Sequence, residues 1–166
     1  YNVGMKEYFK GKRILITGAA SGIGFDLGLV LNEWGAKIAV VDIQSLATKW
    51  STAKDLLVFQ ADVTNSSQMT SIRDQILASW GAIDIVIAAA GVGGINPAHC
   101  FSQELDHKIM SINYFGTVNT LNPFIESMLK NKTGQLIGIC SLAAFRGLPQ
   151  GASYSCLLYT SDAADE

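Results

Sequence analysis

Between positions 17 and 24 the chain reads Thr17-Gly18-Ala19-Ala20-Ser21-Gly22-Ile23-Gly24, and no other run constrains the fold as much. Before it, Arg13 to Thr17 form a short, mostly apolar stretch that suits a buried strand stopped by Gly18. After it, Ile23, Leu27, Val30, Leu31 and Trp34 recur at spacings of three and four. That periodicity predicts the inner stripe of a helix, with Gly35 ending it. Glycines between a strand and a helix let the backbone come close to a bound anion. The first turn of the helix adds free N–H groups and a partial positive charge. A glycine-rich turn alone is also an ordinary strand-to-helix connection, so its surroundings decide.

Those surroundings repeat the pattern. Lys37 to Asp42 and Leu56 to Gln60 read as second and third strands. Asn65, Ser66 and Ser67 offer N-caps for a helix with Met69, Ile72, Ile76 and Trp80 on one face. Ile83 to Ala90 is nearly all apolar, which predicts a fourth strand covered on both faces. Residues 105–130 form a long helical stretch that Pro123 is expected to kink or break. Gln135 to Cys140 make a fifth strand, followed by a Gly/Pro loop over 141–151. Strand and helix alternate throughout, which predicts one α/β domain with a doubly wound parallel sheet.

Composition excludes several other roles. Twelve Lys and Arg against fourteen Asp and Glu leave a net charge of −2, with no basic surplus for nucleic acid or acidic membrane. No apolar run nears the roughly 20 residues of a membrane span, and no signal-peptide pattern opens the chain. The expectation is a cytoplasmic protein. Cys100, Cys140 and Cys156 are odd in number and widely spaced, so they read as reduced, mostly buried thiols. His99 and His107 lack partners at ligand spacing, so no metal site is expected. Cys100 beside His99 has no third orienting group for a nucleophilic dyad. Trp34 and Trp80 read as core, and Trp50 has no assigned place.

The glycine turn has a further partner in Asp42, which ends the second strand 18 residues beyond Gly24. A carboxylate there can accept both ribose hydroxyls of a dinucleotide and repels a 2′-phosphate. Nothing basic lies among Ala19, Ala20 and Ser21, so NAD is favoured over NADP. The spacing Gly18-x-x-x-Gly22-x-Gly24 resembles that of the short-chain dehydrogenase/reductase family. Asp62-Val63 resembles its adenine-side Asp-Val, and Ala88-Ala89-Ala90-Gly91 its Asn-Asn-Ala-Gly. Asn113, within Ser111-Ile112-Asn113-Tyr114-Phe115-Gly116, resembles its helical active-site Asn. Ser141 and Tyr154, thirteen residues apart, resemble its catalytic Ser and Tyr.

The resemblance runs from Lys12 to Ser155 and implies a Rossmann-like sheet, here with about five of seven strands. It implies a cofactor site of Gly18, Ser21, Gly22, Ile23, Gly24, Asp42, Asp62, Val63, Ala90 and Gly91. It also implies hydride transfer between a nicotinamide and a secondary alcohol or carbonyl. Tyr154 would be the acid/base, Ser141 would hold the substrate oxygen, and Asn113 would order a water relay. Full-length relatives imply a homodimer or homotetramer.

Two departures stand out. Ala88 and Ala89 replace the two Asn of the family motif, and Leu158 stands where the family has Lys four residues after Tyr. A free phenol ionises near pH ~10, too high for an efficient base at neutral pH without a neighbouring cation. The chain as given is therefore expected to be inactive. The sequence further suggests native chain over residues 5–155, with residues 156–166 a foreign tail after truncation. An exposed fifth-strand edge would then favour aggregation. Two other readings stay open. One is a non-catalytic, dinucleotide-sensing protein on the same fold; the other, a methyltransferase with a related sheet, leaves the Ser141/Tyr154 spacing unexplained.

Overall fold

Each of the five apolar runs forms a strand: β1 (Arg13–Thr17), β2 (Lys37–Asp42), β3 (Leu56–Gln60), β4 (Ile85–Ala88) and β5 (Gln135–Gly138). The structure is a computed structural model that describes residues 2–46, 49–51, 53, 55–144 and 154. All strand pairs are parallel, in the order β3-β2-β1-β4-β5. Thr17 lies opposite Val41 on one side, and Ile16 opposite Ile87 on the other. The chain winds outward from β1 to β3 and then crosses to β4, so strand order reverses beside β1. In an open parallel sheet this reversal leaves a crevice beyond the carboxyl ends of the strands.

The helices are α1 (Asn2–Phe9), α2 (Gly22–Glu33), α3 (Ser66–Trp80), α4 (Gln103–Met110) and α5 (Gly116–Asn131). A π-helical turn, Ser111–Phe115, joins α4 to α5. Alternation along the strands builds two cores. Ile14, Ile16, Ile38, Val40, Ile85 and Ile87 face Leu31 of α2 and Trp50. On the other face, Leu15, Ala39, Val41 and Val86 meet Met69, Ile72 and Ile76 of α3 and Phe124 and Met128 of α5. All four residues of β4 are buried, as its unbroken apolar run predicts. Asn65 caps α3 by accepting from the Gln68 N–H at 3.1 Å.

At the opposite end of the sheet from the crevice, Arg13 grips Asp84. Its backbone N, Nε and Nη2 donate to the carboxylate at 2.8, 2.9 and 2.9 Å. These bonds hold the Asp84 carboxyl below its ordinary range and raise the Arg13 guanidinium above its own.

Several expectations are corrected. The buried face of α2 is Gly24, Gly28 and Leu31, whereas Ile23 and Val30 are 63% and 40% exposed. This helix approaches the sheet through glycines, which a search for large apolar residues passes over. β4 is shorter than Ile83–Ala90 because the Ala89 and Ala90 N–H groups turn to the Thr17 hydroxyl. β5 is likewise shorter than Gln135–Cys140, and all four of its residues are exposed. Pro123 sits inside a continuous α5; the irregularity falls earlier, in the π-turn. There the Thr117 hydroxyl donates to the Asn113 carbonyl at 2.7 Å. Cys100 and Cys140 are exposed, because one lies in the turn Ala98–Cys100 and the other just beyond the uncovered β5. Helix α1 was not anticipated; Phe9, just before β1, packs on Trp34 with ring centroids 5.8 Å apart. The segment 145–153 and residues 155–166, including Cys156 and Leu158, lie outside the described residues.

Candidate dinucleotide site

The site begins where β1 stops. Thr17 is fully buried, and its Oγ1 accepts from the Ala89 and Ala90 N–H groups at 3.2 and 3.3 Å. This ties the glycine loop to the segment after β4, although Ala88 and Ala89 bring no side-chain amides to it. Gly18 has φ +70°, and a Cβ there would lie 2.8 Å from the Ala90 backbone. A Cβ on Gly24 would lie 2.4 Å from the Gly18 carbonyl oxygen. The first turn of α2 therefore rests directly on the loop that feeds it.

Gly22, at φ +56°, has nothing within 4 Å on its Cβ side. Ser21 is extended and makes no side-chain cap. The start of α2 thus has no side-chain cap for its first N–H groups, and Ile23 beside them is exposed. That arrangement suits a phosphate-bearing ligand.

Asp42, half-buried at the end of β2, is held on both oxygens. Oδ2 accepts from the Ala20 N–H and Oδ1 from the Gln44 N–H, each at 2.9 Å. Each oxygen keeps a second lone pair for a ligand hydroxyl. Asp62 is also half-buried, and its Oδ1 accepts from the Thr64 N–H at 2.9 Å. Val63 is only 6% exposed and packs in the core, while its carbonyl accepts from Asn119 Nδ2 at 2.9 Å.

Beyond β4, Ala90 is half-buried and Gly91 exposed. Asn113, in the π-turn, reaches this segment. Its Oδ1 accepts from the Val92 N–H, and its Nδ2 donates to the Val92 carbonyl, both at 2.8 Å. The amide expected to order water thus clips the β4 loop to the helix. Beyond β5, Ser141 is half-buried and its Oγ accepts from the Ala143 N–H at 3.3 Å. Tyr154 is half-buried and, like Met110, packs against Ala143. Ala143 is therefore a shared neighbour of the Ser and the Tyr.

Gly18, Asp42, Asp62, Ala90 and Ser141 each lie at or just beyond the carboxyl end of a different strand, so the parallel topology gathers them along one end of the sheet. Sequence reasoning missed the supports: Thr17, Asn119 and Trp50. Trp50 is 2% exposed, and its indole N–H donates to the Ala19 carbonyl at 3.0 Å. The indole gave no periodic signal, because it lies in the connection between β2 and β3. Among the described residues, no group of three His, Cys, Asp or Glu could hold a metal ion. No helix among them is long and apolar enough to cross a membrane.

Comparison with known proteins agrees with this geometry. The family model described as short chain dehydrogenase matches residues 12–156. Dehydrogenase/reductase SDR family member 7C of Rattus norvegicus is 30% identical over 162 residues, covering 90% of this chain and 52% of its own length. Cyclohexanol dehydrogenase of Rhodococcus sp. is 31% identical over 159 residues, covering 82% of this chain and 59% of its own. The chain thus spans little more than half the length of these relatives. NAD+-bound xylitol dehydrogenase superposes with a TM-score of 0.86 at 25% identity, over 94% of this chain and 63% of that one. NADP-bound ElxO gives the same TM-score at 20% identity, over 93% of this chain and 65% of that one.

Proposed function

Because the chain belongs to the short-chain dehydrogenase family, we propose that it binds NAD in preference to NADP and serves interconversion of a secondary alcohol and a carbonyl. One observation carries the reading. An uncapped α2 N-terminus rests on a glycine loop whose Ala20 N–H in turn holds Asp42. The N–H groups at the start of α2 would hold the pyrophosphate. Asp42, anchored by Ala20 and Gln44, would accept the adenosine ribose hydroxyls, and Asp62 would border the adenine. A 2′-phosphate would meet the Asp42 charge, hence the preference for NAD.

When bound, the nicotinamide supplies the hydride acceptor or donor. The chain's own residues handle the oxygen and its proton. Ser141 Oγ would hold the substrate oxygen, and Tyr154 would give or take the proton. Asn113 would act by keeping Val92, and so the β4 loop, against the π-turn. Leu158 favours a second reading, in which the chain binds the dinucleotide without turnover, since the cation expected beside the phenol is missing.

Calorimetric titration with NADH and NADPH tests binding, and an NAD-coupled assay on a secondary alcohol tests turnover. Saturable binding with NADH tighter than NADPH is expected. No binding of either would overturn the proposal, and turnover by the unmodified chain would remove the second reading.

A further inference from the structure

Two adjacent residues of the β2–β3 connection reach back to two adjacent carbonyls of the glycine loop. Trp50 Nε1 donates to the Ala19 carbonyl at 3.0 Å, and Lys49 Nζ donates to the Ala20 carbonyl. The Ala19 carbonyl shares its peptide plane with the Ala20 N–H. That N–H is the one that donates to Asp42 Oδ2 at 2.9 Å. A single peptide is thus held at both ends: the indole donates to its oxygen, and the carboxylate accepts from its nitrogen.

We propose that Trp50 is a positioning residue for cofactor choice, acting through the Ala19–Ala20 peptide to fix the Asp42 carboxylate. The inference rests on the proposed contact of Asp42 with the adenosine ribose. A trans peptide points its C=O and N–H in opposite directions, so fixing one aims the other. Donation to the oxygen also polarises the peptide and strengthens its N–H as a donor. The indole is itself immobile. It is 2% exposed, lies edge-on to Phe25 at 5.6 Å, and stands where a Cβ on Gly28 would be 2.5 Å from its Cη2. Gly28 therefore makes room for the ring that orients the loop.

Without the indole donor this peptide is held less firmly, so the Ala20 N–H bond to Asp42 loosens while the Gln44 bond stays. The Asp42 carboxylate then spends less time where the ribose hydroxyls arrive and less time where it repels a 2′-phosphate. NADH should weaken while NADPH does not. A residue that merely supported packing would weaken both alike.

The test is calorimetric titration of the full chain with NADH and NADPH in three backgrounds: Trp50→Phe, Asp42→Asn and the double variant. Replacing the Trp50 indole by a benzothiophene, which keeps the volume and removes only the donor, covers a folding failure of Trp50→Phe. The NADH-over-NADPH preference should fall about fivefold in either Trp50 variant, the scale of one lost hydrogen bond. The double variant should match Asp42→Asn alone. Equal weakening of both cofactors, or an unchanged preference in the benzothiophene variant, would overturn the inference while leaving the ribose contact standing. An unchanged preference in Asp42→Asn would overturn the ribose contact itself, and the inference with it.

Discussion

Gly24→Ala probes the cradle where it has least room. The new Cβ would lie 2.4 Å from the Gly18 oxygen, 2.9 Å from the Gly18 carbonyl carbon and 3.0 Å from the Thr17 oxygen. All three are backbone atoms, so no side chain can swing aside. Restoring ordinary contact requires α2 to back off by about 1 Å. Overpacking of this kind costs about 1–3 kcal/mol. The N–H groups at the start of α2 retreat by the same distance. Charge-assisted bonds to a phosphate are short and each worth about 1.5–3 kcal/mol, so weakening even one should reduce NADH affinity by about tenfold or more. Urea denaturation would read the stability loss and calorimetry the affinity loss. Gly81→Ala is the control: φ is +75° at the C-cap of α3, with nothing within 4 Å of the added carbon. It should cost about 1 kcal/mol of stability and leave NADH binding alone. A Gly24→Ala protein that binds NADH as tightly as the parent would refute the reasoning, even if its stability fell.

Other outcomes follow from individual contacts. Asp84, held below the ordinary carboxylate range by Arg13, contributes stability that is present above its unfolded pKa and lost as pH falls through its folded value. Asp84→Asn should therefore flatten the acid limb of a denaturation-versus-pH series and cost about 1–2 kcal/mol at neutral pH. An unchanged acid limb would show that the Arg13–Asp84 pair is not responsible. Asn113→Ala removes both bonds to Val92 and should lower stability by about 1–2 kcal/mol in a urea melt, with faster amide exchange at Val92. If Tyr154 lacks only its cation, Leu158→Lys should raise NAD-coupled alcohol oxidation by about a hundredfold or more without changing NADH affinity.

Much of the fold is legible because the strands are short apolar runs, with β1 stopped by Gly18 and β2 ending on Asp42. β1, β2 and β3 fall at the residues their composition predicts. What escapes prediction is governed by contacts between segments distant in sequence. β4 ends at Ala88 because the next two N–H groups pair with Thr17, some seventy residues earlier. The inner face of α2 is set by Gly18 and Trp50 pressing on Gly24 and Gly28, so small residues mark the buried side. Pro123 breaks nothing, and the irregularity lies in the π-turn that brings Asn113 to Val92. In the candidate site, the glycine motif and the acid ending β2 are visible in the sequence as residue types at strand ends. Trp50 and Asn119 are not, since each acts by reaching a carbonyl in another loop.

The central claim is that the glycine loop and Asp42 together seat a dinucleotide. A crystal structure of the chain soaked with NAD tests it most directly. The account predicts the pyrophosphate against the backbone N–H groups at the start of α2, with the adenosine ribose hydroxyls on Asp42. A dinucleotide bound elsewhere, or one whose ribose leaves Asp42 untouched, would contradict it.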